Sequence, residues 1–221
     1  MRRSSQLIFA LVVLNWLLAS PVSAEQVTIF GTGLDAAGNP LEYGSVDANY
    51  VLLSGPGITG PAPAYVNGWG GSGGWWGAGN TATSQWIGEA GLGCQGCGGY
   101  SPVGDYFYQT AFSLAGFDLS TVVLTGQWAT DNEGAIYLNG VSTGITLVGD
   151  TFSSFTPLTI NSGFQPGLNT LVFYVHNDGG PTGLQVQISG TGSQVPEPST
   201  LVLLGSGLVA LAGAARRKFR R

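Results

Sequence analysis

The sequence predicts an all-β protein: a single jelly-roll-like β-sandwich with a Gly/Trp-rich irregular insertion, flanked by an N-terminal signal peptide and a short C-terminal transmembrane helix. Three observations predict it. From Glu25 to about Gln194 no segment has helical periodicity, and short stretches alternate apolar with polar residues between Gly, Pro and Asn turns. Residues 67–99 hold 13 Gly together with Trp69, Trp75, Trp76 and Trp86, a composition that favours a long loop. The apolar runs of the chain ends stand apart from this pattern, each beside basic residues.

Taken in order, the elements are these. Arg2 and Arg3, the apolar stretch Leu7 to Leu18 and the small-residue site Val22-Ser23-Ala24 form a signal peptide over 1–24, so the mature chain begins at Glu25. Val27 to Phe30 and Tyr50 to Leu53 are β-prone and make early strands. Tyr106, Tyr108, Thr110, Phe112 and Leu114 share one face of a strand, as do Val122, Leu124 and Trp128 in the next. Trp86 and Trp128 therefore belong to the core. Ile136 to Val141 carries Asn139-Gly140, the pair that supplies positive φ to a type I′ hairpin turn. Asn169 to Val175 is strongly β-prone and is entered through Pro166-Gly167. Leu184, Val186 and Ile188 alternate with Gln185, Gln187 and Ser189. The translocated domain, 25–194, has the size of one sandwich.

Charge placement excludes several function classes. All seven Lys and Arg residues lie at the ends, whereas the twelve acids lie between Glu25 and Glu197. The domain has no cation for phosphate neutralisation, so nucleic acid is not an expected partner. Its acids are solvated, hydrogen-bonded to neutral donors, or bound to a cation. Asp131, Asn132, Glu133 and Asp178 are the candidates for a structural calcium ion, because Ca²⁺ takes several hard oxygen ligands. Local turn chemistry in Asp131-Asn132-Glu133-Gly134, joining two strands, is the competing explanation.

Other candidates carry less. Cys94 and Cys97 form a lone C-x-x-C, which export places in an oxidising compartment. A structural disulfide is the expectation, with metal binding, free or intermolecular thiols and redox chemistry as alternatives. His176, the one histidine, has no Gly-x-Ser-x-Gly elbow to go with it. Asp131 and Glu133 are the only suggestion of a carboxylate pair for glycoside hydrolysis. Trp69, Trp75 and Trp76 are candidates for stacking on sugar rings from a surface loop. The competing expectation is that they fold back and cap one end of the sandwich.

At the C-terminus, Val195-Pro196-Glu197-Pro198-Ser199 precedes the apolar helix of 200–215 and the basic tail Arg216 to Arg221. Its apolar run, Leu201 to Ala215, is fifteen residues and as a helix spans about 22 Å, short of a hydrocarbon core of about 30 Å. That length suits a transient anchor, with the basic cluster on the cytoplasmic side. This three-part end, 195–221, resembles the PEP-CTERM sorting signal of Gram-negative bacteria. The resemblance implies recognition by an exosortase at Val195, Pro196, Glu197 and Pro198, processing by signal peptidase, and a transient inner-membrane stage before the cell surface or extracellular matrix. It also implies an association with exopolysaccharide and the biofilm matrix.

Within the domain, Trp86-Ile87, Tyr106 to Leu114, Gly126 to Asn132, Ile136 to Gly140, Gly167 to Asn177 and Gly180 to Leu184 together resemble a galactose-binding-like jelly roll. The stretch Gln85 to Gly190 looks like the second half of the sugar-binding modules attached to glycosidases. The expected function is therefore that of an exported, non-enzymatic surface or matrix protein that contacts exopolysaccharide. A glycan-active hydrolase and a purely structural matrix protein are the alternatives.

Overall fold

The computed structural model describes residues 24–68, 76–89, 100–195 and 205–210. The chain divides into a β domain, Glu25–Ser193, and a unit made of the two ends. Among the described residues the strands are β1 (Ala24–Val27), β2 (Val46–Ser54), β3 (Ala62–Val66), β4 (Ile87–Gly88), β5 (Gly104–Ser113), β6 (Val123–Asp131), β7 (Glu133–Leu138), β8 (Val141–Leu147), β9 (Thr156–Ile160), β10 (Leu168–Asn177) and β11 (Gly183–Ser193).

They form one path, β8-β7-β10-β5-β2-β3-β4-β11-β6-β9, with β1 against β11. Successive neighbours along it run antiparallel. The path curls so far that its two ends, β8 and β9, flank one small cleft of about 250 Å³. The architecture is thus a nearly closed, jelly-roll-like barrel.

The period-2 pattern assigns the core. Tyr106, Tyr108, Phe112 and Leu114 face inward with Leu124, Trp128, Phe173, Leu184 and Val186, all buried. Trp128 of β6 meets Phe173 of β10 across the interior, with ring centroids 6.0 Å apart. Gly134 makes that contact possible, since a Cβ there would lie 2.8 Å from the Trp128 ring and 2.9 Å from the Thr130 methyl. The Asn139-Gly140 turn joins β7 to β8, with φ of 52° and 80° and Leu138 opposite Val141. β10 follows Pro166-Gly167 as the sequence implies.

Some expectations are corrected. Asp131 to Gly134 does join two strands, as its turn chemistry implies; β6 and β7 are not neighbours, and the chain crosses there from one side of the barrel to the other. The first strand, Ala24–Val27, lies earlier than Val27 to Phe30. The transmembrane helix expected over 200–215 is overturned. The helix described in that stretch covers 205–210. Among the described residues no helix is long and apolar enough to cross a membrane. With it goes the inner membrane as a transient partner and as a stage of localisation. The signal peptide expected over 1–24 lies, except for Ala24, outside the described residues.

Gly134→Ala should destabilise the domain by roughly 1–3 kcal/mol, because Trp128 has no room to yield. Thermal melts should show the loss, while exposed Thr146→Ala should stay within about 0.5 kcal/mol of the parent. Equal melting temperatures for Gly134→Ala and the parent would contradict the packing described.

Candidate functional site: a neutral groove on the outer face of β6 and β11

The sequence-derived site residues go to different places. Trp76 is only 4% exposed. It stacks on Trp86 at 4.1 Å, packs with Ala78 and Ala129, and donates from Nε1 to Asp131 Oδ2 at 2.7 Å. Trp86 Nε1 in turn donates to the Ala78 carbonyl. Trp76 is therefore no sugar-stacking residue: the apolar area of an indole is better satisfied by a second indole than by solvent. Trp69, Trp75, Cys94, Cys97, Pro196, Glu197 and Pro198 lie outside the described residues, and Val195 is exposed.

Of the candidate calcium ligands, Asp131 and Asn132 turn their side-chain polar atoms to other partners. Asn132 donates from Nδ2 to Asp150 Oδ1 at 2.6 Å, and its Oδ1 accepts from the Asp178 backbone N–H at 2.9 Å. Its backbone N–H donates to the His176 carbonyl, and its own carbonyl accepts from the Thr130 and Thr151 hydroxyls. Asn132 thus ties the barrel crossover to two loops. Asp131 is buried, and burial pushes its carboxyl up to about 6; the Trp76 hydrogen bond opposes this, and Asp150 and Asp178 add to it. Glu133 starts the next strand, on the other side of the crossover, opposite His176. Among the described residues no three His, Cys, Asp or Glu side chains converge as a metal site. His176 Nδ1 lies 2.6 Å from Asp105 Oδ1, which raises the imidazole pKa and lowers that of the carboxyl. The pair links β10 to β5 at the surface.

Sequence reasoning missed the groove that these elements leave open. On β6 and β11 the outward positions pair as Thr125 with Ser189, Gln127 with Gln187, and Ala129 with Gln185. The Trp76–Trp86 segment covers the last rung, where Gln185 Nε2 donates to the Ser84 carbonyl at 3.0 Å. The other two rungs floor a groove of about 540 Å³, walled by Ile29, Phe30 and Leu34 on one side and reaching Thr83. No lining residue is ionisable. Gln127 Nε2 donates to Gln187 Oε1 at 2.7 Å.

The wall is held firmly. Thr32 exchanges bonds with Val186 and Gln85: its N–H donates to the Val186 carbonyl, its hydroxyl donates to the Gln85 carbonyl at 2.6 Å, and Val186 N–H donates back to that hydroxyl at 2.9 Å. Gly31 permits this approach, since a Cβ would sit 2.6 Å from the carbonyl oxygens of Thr83 and Val186. Asp47, buried behind the wall, accepts from the Gly33 N–H at 2.6 Å. Burial raises its carboxyl to about 6 against the backbone donors of Gly33, Asn49 and Tyr50. The outward setting of Gln187 and Ser189 was legible as alternation. Their pairing with Gln127 and Thr125, and the wall from residues 29–38, join segments remote in sequence.

The two raised carboxyls give a signed pH dependence. Each is protonated more readily in the folded chain, at about 6, than the ordinary aspartate carboxyl at 3.8. Their contribution to stability is fully present below about pH 4 and is lost as pH rises through about 6. The His176 shift acts in the same direction. Asp105 and Asp35, both lowered, contribute above their ordinary range and lose it only at more acid pH. The melting temperature should therefore be several degrees higher at pH 5 than at pH 7.5. Asp131→Asn should shrink that difference, and an unchanged difference would place the titration elsewhere.

Comparison with known proteins matches residues 194–221 to the PEP-CTERM protein-sorting motif. No curated protein matches the chain. Among solved structures, the chain is similar to a lectin from Pleurotus ostreatus in complex with GalNAc, at 24% identity over 44% of this chain and 29% of that one, with a TM-score of 0.35. It is also similar to a β-glucuronidase from Ruminococcus gnavus, at 15% identity over 72% and 23% with a TM-score of 0.38. CBM35 from Paenibacillus barcinonensis matches at 14% identity over 64% and 92%, with a TM-score of 0.34. The chain spans less than a third of the lectin's length. Likenesses at these TM-scores say nothing of ligand or activity and do not establish a galactose-binding family. The chain carries a PEP-CTERM sorting motif behind an all-β, jelly-roll-like domain.

Proposed function

We propose that this chain is an exported, exosortase-sorted, non-enzymatic protein that holds a polysaccharide in the groove over β6 and β11. The observation that carries the reading is the groove's composition: amides, hydroxyls and apolar side chains without a charge. Sugar hydroxyls need donors and acceptors in alternation, which Gln127, Gln187, Thr125 and Ser189 offer. The half-buried Phe30 ring adds apolar area on the wall, which suits a pyranose face. The volume falls in the range of roughly 300–1,000 Å³ common for small-ligand sites.

Two further observations support a binding rather than a hydrolytic role. Glycoside hydrolysis generally uses two carboxyl groups on either side of the scissile bond, and no carboxylate lines this groove. The sequence-suggested pair, Asp131 and Glu133, leaves the chain on opposite sides of the barrel crossover, with Asp131 turned to Trp76.

Calorimetric titration of the purified protein with dextran, galactomannan and xyloglucan should give saturable binding to at least one of them. Phe30→Ala and Gln127→Ala should each weaken it about tenfold, a loss of roughly 1.4 kcal/mol, with the melting temperature little changed. Release of reducing ends that depends on Asp131 or Glu133 would replace this reading with hydrolysis. Concentration-dependent sedimentation with no binding to any polymer would replace it with a structural matrix role.

A further inference from the structure

Resting on the glycan-binding reading, we infer that the Gln127–Gln187 pair is the specificity element of the groove, and that it reads two adjacent free hydroxyls on an uncharged sugar. The two residues stand directly opposite each other on antiparallel strands, and both line the groove. Their mutual bond, Gln127 Nε2 to Gln187 Oε1 at 2.7 Å, fixes the two amides relative to one another. A primary amide has two N–H donors and an oxygen with two lone pairs. The bond uses one donor of Gln127 and one lone pair of Gln187. Gln127 Oε1 is left to accept and Gln187 Nε2 to donate, one from each side chain of the same rung of the groove floor.

An adjacent acceptor and donor complement a vicinal diol. One hydroxyl donates to Gln127 Oε1 while its neighbour accepts from Gln187 Nε2. Thr125 and Ser189, on the next rung, present hydroxyls that extend the same pattern along a chain. Selectivity follows from what a mismatched sugar leaves behind. A polar site that has lost its water and gains no partner rejects an analogue far more strongly than an apolar pocket does.

Charge sets the second part of the specificity. Between Glu25 and Glu197 the chain has twelve acids and no Lys or Arg. The field of the domain therefore opposes acidic polymers, and the groove has no cation to offset it.

The test uses the full chain in native affinity gels containing dextran, galactomannan or xyloglucan. Each polymer is also run after periodate cleavage of its vicinal diols and borohydride reduction, and polygalacturonate serves as the acidic polymer that keeps its diols. The expected result is retardation by a neutral polymer, weakened at least tenfold by periodate treatment and by Gln187→Leu, with no comparable retardation by polygalacturonate. Gln187→Thr, a better strand former, serves as a second variant should Gln187→Leu lower the melting temperature. Retardation that survives diol cleavage, or survives loss of both glutamines, would overturn the diol assignment while leaving glycan binding in place. Equal retardation by polygalacturonate would overturn the selection for uncharged sugars. Absence of retardation by every polymer would overturn the glycan-binding reading itself.

Discussion

The antiparallel ladder between β6 and β11 is the element on which the rest of the domain is built. Its inner face sends Leu124, Trp128, Leu184 and Val186 into the core. Its outer face carries the paired glutamines. Above one end of that face the Trp76–Trp86 segment buries a second, smaller apolar cluster. Beside it the chain near Thr32 bonds to Val186 of the same ladder and forms the groove wall. A single pair of strands thus supplies core, cover and candidate site, because successive side chains of a strand point to opposite faces.

A second constraint is the absence of basic side chains from the β domain. Buried acids have no cation to meet, so neutral donors hold them. Asp47 is met by backbone N–H groups at the groove wall, and Asp131 by the Trp76 indole at the barrel crossover. Both stay costly to ionise, since neutral donors offset only part of the burial penalty. The same absence shapes the surface. With no guanidinium or ammonium available, the groove presents amides, hydroxyls and an aromatic ring, a composition that under the proposed function suits uncharged hydroxylated ligands.

Much of the fold was legible in the sequence. The alternation in Tyr106–Leu114 and Leu184–Ile188, the Asn139-Gly140 turn and the Pro166-Gly167 entry to β10 are all local signals, and each emerged where expected. The burial of Trp128 followed from its strand position; Trp86, expected on a strand, lies just before β4 and is buried against Trp76 instead. The choice of Trp76, in the Gly-rich tract, between solvent and a partner was not legible. That choice depended on Trp86, Ala129 and Asp131, which no spacing rule brings together. The turn chemistry around Asp131 was equally ambiguous, since the same residues suit a hairpin or a crossover between the two sides of a barrel.

The sequence by itself determined the all-β class, the inward-facing set and the sign of the domain's charge, because these depend on period, turn chemistry and composition. It also carried the sorting motif, which is read as a short linear pattern. The position of the groove was decided only by the tertiary structure. A groove exists where remote segments stop covering a sheet face, and strand register, fixed by pairing across the barrel, decides which polar side chains meet on its floor.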